Sequence, residues 1–362
     1  MSIPVQSLYH LLTYAWDQLE EAEAVAVSAE PADSLLDLLA RVLIHGTTHV
    51  LKRGLARDYV PETELTSRLR GKLLLTDSIR QQTLPTARAW CTFDELSHDI
   101  PINRLLKATL HYLLTTSQLA SSLRQEVRSL YVRLPDVALV PVLDIRVFDQ
   151  VVLHRHTAHY RLLLSICRLI HEEILLNQSS GQHLFNHFTG NEKRMAALFE
   201  RFVRNFYHRR QSHFKVSAEQ FTWHLTPDTP AAQDLLPGMK TDVSLTANDR
   251  KLIIDCKYYK EALKKHYDKE KLISSHLYQL YAYVQHARLP NDARPIEGLL
   301  LYPVVTVAFQ HSYALKGTSH HLRVATINLD QPWQDVERNL LGLLAPTHKL
   351  PDTISLGMSV AK

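Results

Sequence analysis

Long apolar runs are missing from this 362-residue sequence. The longest, LLLYPVVTVAF at 299–309, falls well short of the roughly 20 apolar residues that a membrane helix needs. The opening MSIPVQSLYHLL has no basic segment and no small-residue cleavage site, so no signal peptide is expected. Cysteine is scarce as well: Cys91, Cys167 and Cys256 stand apart, without CxxC spacing. That argues against a disulfide framework and a zinc knuckle, and points to a reducing cytoplasm. No GxxxxGK(S/T) loop occurs, so any nucleotide-driven step has to come from a partner. Internal repeats and low-complexity tracts are absent too.

Positive charge is absent from residues 1–40, which hold seven acidic side chains and no Lys or Arg. It gathers at 250–271, where eight basic residues stand against four acidic ones, an excess equal to the whole chain's net charge of +4. A local basic patch suits a polyanion. A solvated Lys-rich surface is the plainer alternative. With 45% hydrophobic and 22% charged residues, the composition is that of a soluble globular protein, and the length allows two domains.

Apolar residues at helical spacing predict helices over 5–24, 34–55 (capped by Asp33 or Ser34), 101–116, 160–176, 193–210, 271–287 and 333–344. Residues 56–82 and 87–99 read as short strands joined by polar turns. Strands are also expected at 241–257, 296–305 and 324–330. The prolines of 132–150 mark the end of a first domain. The expected fold is an α+β N-terminal domain, residues 1–155, with a small barrel-like sheet. An α/β domain follows over 156–362.

One stretch carries chemistry: TDVSLTANDRKLIIDCKYYK, residues 241–260. It reads as a hairpin turning at 247–250, whose second strand is apolar until Asp255, Cys256 and Lys257. Residues i and i+2 of a strand share a face, so Asp255 and Lys257 project together, and the turn brings Asp242 alongside them. Two carboxylates make a hard-oxygen site suited to Mg²⁺. An adjacent lysine can hold or deprotonate the attacking water and offset charge on a phosphorane. The spacing Asp242–x12–Asp255–x–Lys257 matches the degenerate PD-(D/E)xK nuclease motif; a structural ion pair at a strand end is the alternative. Three neighbours favour the nuclease: the apolar run KLII, the following Lys260, Lys264 and Lys265 for gripping phosphates, and Gln279 with Tyr283 in the QxxxY spacing of RecB-like nucleases. Gln279 and Tyr283 are therefore expected on the DNA side. Glu200, on the preceding helix, is a candidate third metal carboxylate, with a surface pair to Arg204 as its rival role.

Blocks along the chain, IPVQSLYHLLTYAWD, TFDELSHDIPINRLLKATL, LLPGMKTDVSL, IIDCKYYK, LYQLYAYV and GLLLYP, resemble the McrC family, the nuclease subunits of McrBC modification-dependent (5-methylcytosine) restriction systems. The similarity runs in order from about residue 3 to about 345. It implies a PD-(D/E)xK restriction-endonuclease-like domain in which Asp242, Asp255 and Lys257 form the catalytic set. It further implies Mg²⁺ as cofactor, double-stranded methylated DNA as substrate, and a hexameric McrB-like AAA+ GTPase as partner. That GTPase would be docked and stimulated by the N-terminal domain and would itself bind GTP. Arg53, Arg57, Arg68, Arg70 and Lys72 form a second basic stretch suited to such docking, or else ordinary loop charges.

Other features carry less. HRHTAHY, 154–160, places three histidines close together, but no second ligand cluster follows with metal spacing. Ser274 and Ser275 near His276 lack a G-x-S-x-G elbow. Two further functions stay open: a non-catalytic adaptor that activates a GTPase ring, and a free-standing RecB-like repair nuclease.

Overall fold

Leu8, Leu11 and Leu12 lie on one side of a helix and are buried, and in the computed structural model that helix, α1, runs over Val5–Ala15. It stops short of the expected residue 24, because Asp17 turns into left-handed backbone with φ 58°. The structure describes residues 3–18, 34–180, 191–223, 225, 229, 234–258, 263–266, 269–288, 294–304 and 309–346. Two compact units emerge, one of Gln18–Phe185 and one combining Met1–Asp17 with Asn186–Lys362.

The Gln18–Phe185 unit begins with α2 (Leu35–Arg53), capped by the Ser34 hydroxyl, which accepts from the Asp37 amide at 3.0 Å. Next come β1 (Asp58–Thr66), β2 (Lys72–Leu73), α3 (Leu75–Arg80) and β3 (Ala89–Ser97). The strands form an antiparallel sheet ordered β1-β3-β2. Among the described residues this sheet is open, since β1 and β2 do not pair; a closed barrel is not formed. Gly71 has φ 64°, and a Cβ there would stand 2.3 Å from the Thr92 carbonyl, so the turn into β2 requires glycine. The helices α4 (Pro101–Thr115), α5 (Ser121–Val132) and α6 (Arg161–Ser180) complete the unit, with Pro101 in the first turn of α4. Because α6 packs against α2 and α4, the chain does not divide at residues 155/156 as the prolines suggested.

The other unit is built on α7 (Glu192–Arg210), β4 (Lys215–Ser217), β5 (Gln220–Phe221), β6 (Met239–Lys240), β7 (Val243–Thr246) and β8 (Lys251–Cys256). It continues through β9 (Leu263–His266), β10 (Lys269–Leu272), α8 (Ser274–His286), β11 (Ile296–Val304), β12 (Gln310–Ala314), β13 (His321–Asn328) and α9 (Trp333–Gly342). Its main sheet has the order β12-β13-β11-β8-β7-β4. The central strands β13, β11 and β8 are parallel, and the pairs at the flanks are antiparallel. Helix α8 connects β8 to β11 and lays Leu280, Tyr283 and Val284 on Ile253 and Leu300. Gly298 permits that approach: a Cβ would come within 2.8 Å of Val284 and 2.9 Å of Leu280. Helix α7 buries Phe199, Phe202, Phe206 and Tyr207, and α1 packs along it with Tyr14 edge-on to Phe202. No helix among the described residues is long and apolar enough to cross a membrane.

Candidate active site

The hairpin turn lies where the sequence put it, with the Ala247 amide donating to the Arg250 carbonyl at 2.9 Å. Strand β8 takes a central position because Leu252, Ile253 and Ile254 are apolar on both faces, as a strand covered on both sides must be. Asp255, near its C-terminal end, is wholly buried. Lys257 extends the ladder beyond the strand through its amide, which donates to the Leu301 carbonyl at 2.9 Å. Its Nζ returns to Asp255, donating to Oδ1 at 3.1 Å and lying 3.0 Å from Oδ2. Asp242 sits where the chain leaves β6, paired with β5 in a separate ribbon, and enters β7 of the main sheet. Its Oδ2 accepts from the Cys256 amide at 2.8 Å, which brings both carboxylates to one strand end.

Burial sets the electrostatics. Desolvation above all, then the charge of Asp255, pushes the Asp242 pKa up to about 7; Glu200 adds to the rise, while the Cys256 amide and Lys257 oppose it. Asp255 is raised for the same primary reason, with Lys257 opposing and Glu200 adding. A buried and a half-buried carboxylate crowded together outnumber the one lysine paired with them. Asp255 Oδ2 is buried, and its contact with Lys257 Nζ, an ion pair at 3.0 Å, lacks hydrogen-bond geometry. A buried carboxylate oxygen held by an ion pair but no hydrogen bond, beside a second carboxylate, fits a hard divalent cation, which takes one or two carboxylates and completes its shell with water and phosphate oxygens. Among the described residues no three His, Cys, Asp or Glu side chains gather as a metal cluster. Glu200 is ion-paired to Arg204 at 3.2 Å, as its rival role anticipated, and acts on the pair through its charge.

The QxxxY residues do something the sequence did not suggest. Gln279 is exposed and accepts from Lys257 Nζ at 2.8 Å, whereas Tyr283 is only 5% exposed and its hydroxyl donates to the Lys240 carbonyl at 2.8 Å. A direct DNA contact by Tyr283, as first expected, is at odds with that burial. The basic run is also partly consumed: Arg250 is buried against Glu297 at 3.3 Å, and Lys251 pairs with Glu219 at 2.5 Å. Lys260 lies outside the described residues, and Lys264 and Lys265 lie on β9, of which only the backbone is described. Sequence reasoning missed the hold of Arg204 on the Asp242 carbonyl, at 3.3 Å; the Glu200/Arg204 spacing was the only hint.

The comparisons agree with the expected resemblance. The family model for the McrBC 5-methylcytosine restriction system component matches residues 5–303. The type IV methyl-directed restriction enzyme EcoKMcrBC of Escherichia coli (strain K12) is 33% identical over 341 residues, covering 94% of this chain and 97% of the relative. A half-complex from the tetradecameric assembly of Thermococcus gammatolerans McrB AAA+ hexamers with bound McrC matches with a TM-score of 0.57 and 17% identity, over 94% of this chain and 76% of that one. At that identity the likeness speaks to the fold. The mixed α/β architecture is thus shared with an McrC-containing assembly, and this chain belongs to the family of McrBC 5-methylcytosine restriction system components.

Proposed function

We propose that the chain is the metal-dependent endodeoxyribonuclease subunit of a modification-dependent restriction complex, with a PD-(D/E)xK site, acting in the cytoplasm on methylated double-stranded DNA. One observation carries the reading: Asp255 and Lys257 form an ion pair at the end of a buried parallel strand, and the Cys256 amide between them holds the Asp242 carboxylate alongside. Strand ends of this kind are where open α/β sheets bind their ligands.

Asp242 and Asp255 would hold Mg²⁺. When bound, the ion supplies Lewis acidity toward the scissile phosphate and its developing charge. Lys257 is an ammonium with three donors, of which Asp255 and Gln279 take two. The third is left to orient the attacking water. Gln279 fixes that ammonium from the exposed side. The lysines that follow would offset backbone phosphates. Partner docking is assigned to the N-terminal half, whose relatives include a protein solved bound to McrB AAA+ hexamers. The GTPase would bring the nucleotide, since the chain has no P-loop sequence.

Wild type and Asp255→Ala, each combined with the GTPase partner, GTP, Mg²⁺ and methylated plasmid, test the reading. Cleavage by wild type alone, with GTP turnover stimulated by both, is expected. Equal cleavage by both would make Asp255 structural and overturn the site. Stimulation by both with cleavage by neither would favour the adaptor.

A further inference from the structure

We propose that Tyr283 is a positioning residue whose single hydroxyl couples the two halves of the site, holding Lys257 through Gln279 and holding the segment that carries Asp242 through the Lys240 carbonyl. The inference rests on the nuclease reading and adds a role that the motif itself does not state.

The polarity of the hydrogen-bond chain follows from charge. An ammonium can only donate, so Lys257 Nζ obliges Gln279 to present its Oε1, at 2.8 Å. The amide nitrogen of Gln279 then points at Tyr283, donating to its hydroxyl at 2.8 Å. The hydroxyl, having accepted, has one proton left and gives it to the Lys240 carbonyl at 2.8 Å. Burial and the nearby carboxylates both raise the Tyr283 pKa, so the proton stays on the phenol.

The receiving carbonyl matters because of where it sits. Residues 240–242 pass from one sheet to another, where ladder pairing alone does not fix a backbone. Among the described residues, three side chains hold this crossing besides the bond of Asp242 Oδ2 to the Cys256 amide. Tyr283 of α8 grips the Lys240 carbonyl. Arg204 of α7 grips the Asp242 carbonyl at 3.3 Å. Between them the Thr241 hydroxyl meets Ser244 Oγ at 2.9 Å and takes the Glu219 amide at 2.9 Å. Of the three, only the Tyr283 grip also reaches the lysine. Positions i and i+4 put Gln279 and Tyr283 on one helix face, so α8 itself sets the spacing between Lys257 and Asp242.

Tyr283→Phe keeps the ring and removes both hydrogen bonds. In the full chain with its GTPase partner, we expect kcat for cleavage to fall about 10-fold or more while KM for DNA stays within about 2-fold. Calorimetric titration of the chain with Mg²⁺ alone should show Kd raised by about 3-fold or more, because Asp242 is less well placed. Gln279→Ala should lower kcat likewise, and the double variant should be no slower than the slower single variant. Stimulation of GTP hydrolysis and Tm report that the variants are folded and docked. The proposal is overturned by wild-type kcat in Tyr283→Phe, by a rise in KM alone, which would mark a DNA contact, or by a loss of Tm large enough to account for the lost activity. Asp255→Ala separates the two failures. If it cuts like wild type, the nuclease reading falls with the proposal. If it is inactive while Tyr283→Phe is normal, the proposal alone falls.

Discussion

At the scale of single residues, the site sets one buried and one half-buried carboxylate against a single lysine, an excess of negative charge that a divalent cation would offset. Millimolar Mg²⁺ is therefore expected to raise the Tm of the wild-type chain, because a ligand bound only by the folded state stabilises it. Asp255→Asn should lose that increment and cut at least about 10²-fold more slowly, as measured by thermal melts and plasmid cleavage. A second prediction concerns His171, buried on α6 with Nε2 3.1 Å from the Thr109 hydroxyl, its pKa held down to about 4 by desolvation. The unfolded chain takes up that proton near pH 6.5, whereas the folded chain resists it until about pH 4. Stability from His171 is therefore complete above pH 6.5 and lost as the pH falls toward 4, with a slope of up to about 1.4 kcal/mol per pH unit. Melts from pH 7 to pH 5 should show a shallower loss for His171→Gln than for wild type.

At the scale of elements, α8 is held against the sheet by the absence of a side chain at Gly298. Gly298→Val would drive a methyl-bearing branch into Leu280 and Val284, costing about 1–3 kcal/mol by overpacking. Since α8 also carries Gln279, cleavage should fall together with the urea midpoint. The elements that place the site were largely legible in the sequence. The turn at 247–250, the apolar β8 ending in Asp255, and the amphipathic α7 and α8 all follow from periodicity. What was not legible has physical reasons. Strand β12 exposes all five of its residues and owes its existence to pairing with β13, a long-range fact that no local pattern carries. The ribbon of β5 and β6 has two residues per strand, too few for alternation to register. Helix α5 buries only Leu123, Val127 and Leu130, a narrow stripe overlooked among polar neighbours. The stretch containing α3 was read as strand, although its Ser78 hydroxyl bonds back to the Leu74 carbonyl in a helical turn. At the site, the lysine–glutamine contact needed α8 to be placed over β8, so residue identities alone suggested DNA contact instead.

At the scale of the whole molecule, α1 belongs to the unit whose sheet begins some 200 residues later. Its Tyr14 donates to Glu337 at 2.7 Å and packs on Phe202, Phe206 and Trp333, and the Ser7 hydroxyl donates to the Leu329 carbonyl at 2.7 Å. A chain joining residues 1–17 to 186–362 through a short flexible linker is therefore expected to fold, as judged by a cooperative melt. A chain starting at residue 186 should lose about 3 kcal/mol or more, the scale of removing one large buried aromatic, and α1 contributes several buried groups.

The same arrangement sets an order of events during synthesis. The Gln18–Phe185 unit is complete in sequence before α7 emerges from the ribosome, yet α1, made before that unit, must wait for Trp333 and Glu337, made well after it. The sheet unit thus joins segments made before and after the Gln18–Phe185 unit, and a nascent chain arrested before residue 333 would hold the segment bearing Asp242 and Asp255 without the Trp333 and Glu337 side chains that pin α1.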